Sequence, residues 1–225
     1  MHSVPVGPGR GGGDVQYVSV CPNCIVSRIA LADVSGHGEA VEIFGEKLKH
    51  LMNLHLHALE QIPLMGDLNR AVRGEFDGAH YATMVAFGWH ARRGLIVMTN
   101  AGHPPPLWYR ASQNEWAWME TRRSSPLKGP TGVPLGLFPN PSYDRLIVKP
   151  ECGDLFVLYT DGVCEASTPA GVELGCDGLM NIARELSVES PERFGTELAS
   201  ALRAFRGNQG ALDDETFIVL APCRD

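Results

Sequence analysis

A chain of 225 residues with 44% apolar side chains is long and hydrophobic enough for one sizeable domain, and this excludes a disordered chain. Nineteen basic against 26 acidic side chains leave a net charge of −7, the opposite of the basic face a nucleic-acid binder presents. The longest strongly apolar runs, such as Leu95-Ile96-Val97-Met98, are too short to cross a bilayer, and the Gly/Pro-rich stretch 1–13 has no signal-peptide core. A soluble, cytoplasmic protein is expected.

Residues 1–10 read as a flexible arm or a reduced first strand, and residues 11–225 as a single domain. Val15–Val20 and Val26–Ala32 alternate as strands around the turn signal Pro22-Asn23, which predicts a β-hairpin. Val41, Phe44, Leu48, Leu51, Met52 and Leu59 recur on one face of a helix expected over 39–59, with Pro63 ending it. A shorter helix is expected over 65–76. Strands follow at 81–89 and 94–100, across Arg92-Arg93-Gly94, and then at 107–110 and 116–120. The Pro/Gly-rich stretch 122–142 reads as a long irregular excursion, a kind of loop that often carries function. Further strands are expected at 143–148 and 155–160, and a helix at 179–186. Ser190-Pro191 is a helix start, with Ser as N-cap and Pro in the first turn, before Phe194, Leu198, Ala201, Leu202 and Phe205. Thr216–Leu220 is the last strand. Segregated strands and helices predict an α+β sandwich of antiparallel sheets with helices packed outside.

Six cysteines stand at 21, 24, 152, 164, 176 and 223, and a chain of this length needs no disulfide staples, so reduced thiols are the expectation. Cys21 and Cys24 have the C-x-x-C spacing. With no second such pair, they read as a turn flanked by two thiols rather than a zinc site.

Four aspartates lie beside glycines at predicted strand ends: Asp14, Asp33, Asp161 and Asp213. Aspartate is a poor strand residue, although turn chemistry alone accounts for any one of them. A hairpin centred on Pro22-Asn23 sets Asp14 opposite Leu31, which makes Asp14 and Asp33 diagonal neighbours about 7–8 Å apart on one face. Carboxylates that close repel unless a cation lies between them. Hard oxygen donors without a His/Cys cluster select Mg²⁺ or Mn²⁺, and two such ions suit phosphate-ester hydrolysis.

Gly12-Gly13-Asp14, Ala32-Asp33-Val34-Ser35-Gly36-His37-Gly38, Ala82-Thr83-Met84-Val85, Asn100-Ala101-Gly102-His103-Pro104-Pro105-Pro106-Leu107, Gly132-Val133-Pro134-Leu135-Gly136, Tyr159-Thr160-Asp161-Gly162-Val163-Cys164-Glu165-Ala166 and Asp213-Asp214-Glu215-Thr216 occur in that order. Together they resemble the SpoIIE-like bacterial branch of the metal-dependent type 2C (PPM) protein serine/threonine phosphatases, over about residues 11–221. The resemblance implies a four-layer αββα sandwich of two antiparallel β-sheets flanked by helix pairs, with two divalent cations, Mn²⁺ or Mg²⁺, at one end. It implies that Asp33 bridges both metals, that Asp14 and the backbone carbonyl of Val34 complete one site, and that Asp161 and Asp213 complete the other. The implied substrate is phosphoserine or phosphothreonine on a regulatory protein, in bacteria usually a STAS-fold anti-sigma-factor antagonist.

Three departures stand out. The histidine that the eukaryotic branch carries two residues after the bridging aspartate is Ser35 here, as in the bacterial branch, with His37 two further on. A family aspartate three residues after Asp14 is Tyr17. The strand usually found before the Gly-Gly-Asp motif is missing or reduced to 1–10. His37 is a candidate proton donor to the leaving oxygen, or a residue that holds the turn. His103 is expected to brace a loop near the site. His50, His55 and His57, spaced five and two, do not match helical metal pairs. Arg92-Arg93 and Arg122-Arg123 read as solvated turns, and Trp108, Trp116 and Trp118 as core or sheet packing. The alternatives to a phosphatase are a catalytically weak pseudophosphatase that binds a phosphoprotein, and a nuclease or small-molecule phosphatase; the acidic charge counts against the nuclease. Regulation would come from a separate protein, the N-terminal arm or a homodimer.

Overall fold

The computed structural model describes residues 2–4, 13–20, 26–36, 39–55, 60–76, 78, 80–120, 132–211 and 213–222. In chain order they form β1 (His2–Val4), β2 (Asp14–Val20), β3 (Val26–Val34), α1 (Glu39–His55), α2 (Gln61–Glu75), β4 (Ala82–His90), a 3-10 turn (Ala91–Arg93), β5 (Leu95–Ala101), β6 (Leu107–Arg110), β7 (Glu115–Trp118), β8 (Arg145–Val148), β9 (Leu155–Tyr159), α3 (Asp161–Glu165), α4 (Gly175–Glu185), α5 (Pro191–Arg206) and β10 (Glu215–Leu220). Two antiparallel five-stranded sheets result, ordered β2-β3-β4-β5-β8 and β1-β10-β9-β6-β7. They belong to two compact units, one of Gly11–Pro105 with Glu120–Lys149 and the other of Met1–Arg10, Pro106–Met119 and Pro150–Asp225. The architecture is α+β, as expected.

In the first unit, the even-numbered residues Ala30, Ala32 and Val34 of β3 and Ala82, Met84 and Ala86 of β4 share one face with Val15 of β2. That face packs against Leu48 and Met52 of α1 and Leu64, Met65, Leu68 and Val72 of α2, all fully buried. Small residues on the strands let the helices approach, and each buried Leu contributes about 1.5–3 kcal/mol. Helix α2 begins earlier than expected, and Pro63 lies inside its first turn instead of ending α1. A proline is tolerated there because the first N–H groups of a helix have no intrahelical acceptor. Gln61 Nε2 fastens that first turn to the sheet by donating to the carbonyls of Ala86 (2.7 Å) and Val97 (3.0 Å). The end of the helix expected over 39–59 falls beyond the described part of α1, which reaches His55. Residues 132–142 are irregular, as expected. Asn69 of α2 pins them by donating to the Phe138 carbonyl (3.0 Å) and accepting from Gly136 N–H (2.9 Å).

In the second unit, Leu155, Val157 and Tyr159 of β9 alternate onto the face that meets Leu179, Met180 and Ala183 of α4 and Phe194, Leu198 and Leu202 of α5. Trp116 joins this core and packs on Phe194 with the rings tilted by 35° and their centres 5.2 Å apart. Ser190 caps α5 as its sequence predicts, its hydroxyl accepting from Arg193 N–H at 3.1 Å. The short helix α3, which starts at Asp161 directly after β9, has no counterpart in the elements expected from sequence, where Asp161-Gly162 reads as a turn.

Candidate metal centre

The acids fall into two pairs, one in each unit. In the first unit, β2 and β3 pair in register from Asp14↔Asp33 to Val20↔Ser27. This corrects the expected hairpin: Asp14 faces Asp33 and not Leu31. The register is offset by two residues from a turn centred on Pro22-Asn23, and residues 21–25, Cys21 and Cys24 among them, lie outside the described residues. A shift of two residues keeps both acids on the same face, because strand side chains alternate with period two. It also turns diagonal neighbours into direct partners. Val34 N–H donates to the Gly13 carbonyl at 3.1 Å. Gly13 and Val34 are thus a hydrogen-bonded pair, and Asp14 and Asp33 are the adjacent non-hydrogen-bonded pair, whose side chains approach more closely.

Gly13 closes this end of the ladder. A methyl group on it would stand 2.6 Å from Asp33 Oδ1 and 2.8 Å from the Val34 carbonyl oxygen. Two hard oxygen donors thus converge on one point that only a glycine leaves open. The reason is space, since Gly13 is not among the residues with positive φ.

The next strand adds a polar layer. Thr83 of β4 is the register partner of Asp33. Its hydroxyl hydrogen-bonds His103 Nδ1 at 2.8 Å, and His103 is fully buried. Asn100 holds the His103 backbone from both sides, accepting from its N–H (2.8 Å) and donating to its carbonyl (2.9 Å). His103 therefore braces the loop after β5 and reaches the strand beside Asp33. Thr83 was not singled out from sequence; its place in the Ala82-Thr83-Met84-Val85 motif was the available signal. Tyr17, at the position of the missing family aspartate, packs against the helix-facing core.

In the second unit, Asp161 and Asp213 are brought together by Gly162. A Cβ there would stand 2.2 Å from the Asp214 carbonyl oxygen and 3.4 Å from Asp213 Cβ, so the start of α3 lies directly on the approach to β10. Thr160 N–H donates to the Thr216 carbonyl (3.0 Å), and Thr216 N–H donates to Thr160 Oγ1 (3.1 Å), locking the two strand ends. Each acid accepts a local backbone N–H: Asp161 from Gly162 (3.1 Å) and Asp213 from Asp214 (2.8 Å). Burial, and then the Asp213 charge, push the Asp161 carboxyl above its ordinary range. Burial and the charges of Asp161, Asp213 and Glu173 do the same to Glu165, an acid the sequence motif contained without a role. Paired carboxylates held against their own repulsion are what a divalent cation relieves.

Among the described residues, no three His, Cys, Asp or Glu side chains form a metal-binding group. Two carboxylates with a backbone carbonyl, completed by water and phosphate, are nevertheless the usual donor set for Mg²⁺, which seldom takes an all-protein cage. The donor set fits a hard cation. His37, Arg122, Arg123 and His57 lie outside the described residues. His50 is exposed, and neither it nor His55, where the described part of α1 stops, belongs to a group of three possible metal ligands among the described residues. No helix among the described residues is long and apolar enough to cross a membrane.

The family model for stage II sporulation protein E (SpoIIE) matches residues 26–222, and the chain belongs to this family. It is 26% identical over 193 residues to the phosphoserine phosphatase RsbU of Bacillus subtilis (strain 168), covering 85% of this chain and 54% of RsbU. The chain thus spans about half the length of that relative. Its fold is that of the SiaA-PP2C domain of Pseudomonas aeruginosa (TM-score 0.78, 16% identity, covering 94% of this chain and 81% of that one). It is similar in fold to RsbX in complex with magnesium (TM-score 0.67, 17% identity, covering 97% and 91%).

Proposed function

We propose that the chain is a Mn²⁺- or Mg²⁺-dependent protein serine/threonine phosphatase acting on a phosphorylated regulatory protein, with a STAS-fold anti-sigma-factor antagonist as the substrate class. The observation that carries this reading is the direct Asp14↔Asp33 pair with Asp33 Oδ1 and the Val34 carbonyl converging at Gly13, in a chain of the SpoIIE family. A relative named as a phosphoserine phosphatase supports it. In this proposal Asp14, Asp33 and the Val34 carbonyl would hold one divalent cation, and Asp161 and Asp213, with Asp33 as a shared ligand, would hold another. When bound, two such cations supply Lewis acidity to the phosphoryl group and to its attacking water. The protein's part is to orient these oxygens. Thr83 and His103 fix the strand beside Asp33, and Gly162 fixes Asp161 against Asp213. His37, four residues after Asp33, is assigned to donating a proton to the leaving oxygen.

The test is hydrolysis of p-nitrophenyl phosphate and of a phosphorylated STAS-fold protein with Mn²⁺, repeated in EDTA. Metal-dependent turnover that disappears in Asp33→Asn is the expected result. Tight, metal-independent binding of the phosphoprotein without turnover would identify a pseudophosphatase instead. His37→Gln should lower turnover of a poor leaving group such as phosphoserine more than that of p-nitrophenolate, which needs no proton.

A further inference from the structure

The second unit holds a thiol pair that the metal chemistry does not use. Cys164, on α3, and Cys176, in the first turn of α4, place their sulfurs 3.2 Å apart. Cys164 is buried and Cys176 half-buried, both against the core formed by β9, α4 and α5. The plain alternative is that two small apolar thiols fill core space. Three features go beyond packing. The sulfurs already touch, at 3.2 Å. Cys176 is partly exposed, whereas Cys164 is buried. Cys176 also sits where the unpaired N–H groups of a helix start favour a thiolate.

We propose that Cys164 and Cys176 are a peroxide-sensitive pair that closes to a disulfide and reopens under a thiol reductant. The Cys176 thiolate attacks one oxygen of hydrogen peroxide. The O–O bond breaks, hydroxide leaves and takes a proton to become water, and Cys176 becomes a sulfenic acid. The Cys164 sulfur then attacks the Cys176 sulfur. The S–S bond forms, the S–O bond breaks, and the departing hydroxide leaves as a second water with the Cys164 proton. The two sulfurs lose two electrons and the peroxide oxygens gain them. Hydrogen bonds from Cys164 and Tyr159 hold the Cys176 thiol below its ordinary value, whereas Cys164, burdened by its neighbour and by burial, is held above. That asymmetry matches the attacking and resolving roles.

Closing the bond requires the sulfurs to approach by a further ~1 Å, to about 2.05 Å. The two cysteines lie twelve positions apart. Between them the chain is a small closed hairpin, with Ser167 bridged to Glu173 and Leu174 N–H bonded to the Ala166 carbonyl at 2.8 Å. The five-residue α3 is the lighter of the two helices and takes the movement. Asp161 lies one turn before Cys164 on it, so closure displaces that carboxylate. This last consequence rests on the phosphatase reading; the disulfide itself does not.

The test uses the full chain with Cys21, Cys24, Cys152 and Cys223 changed to serine, which leaves the pair alone. After hydrogen peroxide, the expected intact mass is lower by two hydrogens. Digestion without reductant should yield a peptide linking Cys164 to Cys176, and dithiothreitol should restore both thiols. Cys176→Ser should leave Cys164 unlinked. A product carrying added oxygen with no linked peptide, or no reaction, would overturn the proposal. Mn²⁺-dependent p-nitrophenyl phosphate turnover should fall at least about ten-fold on closure and recover with dithiothreitol, while Cys176→Ser should be insensitive to peroxide. A linked protein with unchanged turnover would overturn the coupling to Asp161. A reduced protein without turnover would count against the phosphatase reading, and the mass measurement would still decide the thiol pair.

Discussion

Gly13→Ala tests the metal centre through space alone. The added methyl would meet Asp33 Oδ1 at 2.6 Å, the Val34 carbonyl oxygen at 2.8 Å and Val41 Cγ1 at 3.1 Å, where ordinary contact begins at 3.4 Å. Relieving the two oxygen contacts requires movements of about 0.6–0.8 Å, several times the ~0.2 Å tolerance of a cation's coordination distances. Because φ at Gly13 is not positive, alanine is not strained there. The smaller entropy of its unfolded chain returns about 0.4–1 kcal/mol. Overpacking costs about 1–3 kcal/mol, so a net loss of about 1–2 kcal/mol is expected. For a chain of this size that lowers Tm by about 2–8 °C. Melting in EDTA reads the stability change. Calorimetric titration with Mn²⁺ reads the ligand shift, expected as a 10–100-fold weaker affinity. Wild-type Mn²⁺ affinity in a variant that melts lower would show that the converging oxygens are not ligands, and an unchanged protein on both measures would refute the steric reasoning as well.

Asp161→Asn should stabilise the metal-free protein and blunt the stabilisation by Mn²⁺. The Asp161 carboxyl is held above its ordinary range by burial and by Asp213, so the folded chain keeps that proton longer than the unfolded chain. The stability it contributes is present at acid pH and is lost as pH rises through the raised value. In EDTA near pH 7 the variant should therefore melt up to about 4 °C above wild type, discounting for partial exposure, and the gap should close as pH falls below the ordinary aspartate range. Asp154, buried in the second unit, accepts from Ala111 N–H (2.9 Å), Glu151 N–H (3.0 Å) and Trp108 Nε1 (3.1 Å). Asp154→Ala orphans all three donors and should cost about 2–4 kcal/mol by denaturant melts, while turnover per folded molecule is retained. Iodoacetamide should alkylate Cys176 with a pH midpoint below the ordinary thiol range, because its thiolate is the favoured form. In Tyr159→Phe, which removes one of the stabilising hydrogen bonds, the midpoint should move up.

Much of this protein is legible locally. Ser190-Pro191 marks the start of α5 because a hydroxyl and a proline solve the same problem of unpaired N–H groups whatever lies around them. The alternation of β3 and the helical spacing of Leu48, Leu51 and Met52 show which faces are buried. The aspartates stand out because that residue suits neither a strand nor a core. Pro63 misleads because the same ring that stops one helix is welcome in the first turn of the next, and only the hydrogen bonds of Gln61 to the sheet decide where that turn begins. Helix α3 escapes notice because five residues are too few to show a period.

From the amino-acid order alone come the α+β class, most of the elements, and the acids worth watching, since propensity, capping and periodicity act over a few residues. The direct pairing of Asp14 with Asp33, the convergence of two oxygens at Gly13, the meeting of Asp161 with Asp213 across Gly162, and the contact of Cys164 with Cys176 belong to the folded molecule. Each depends on the register of a strand pair or on the seating of one short helix. A shift of one or two residues, which no local preference forbids, would change every one of these partners. Packing of whole faces, acting between residues far apart in the chain, selects the register that is adopted.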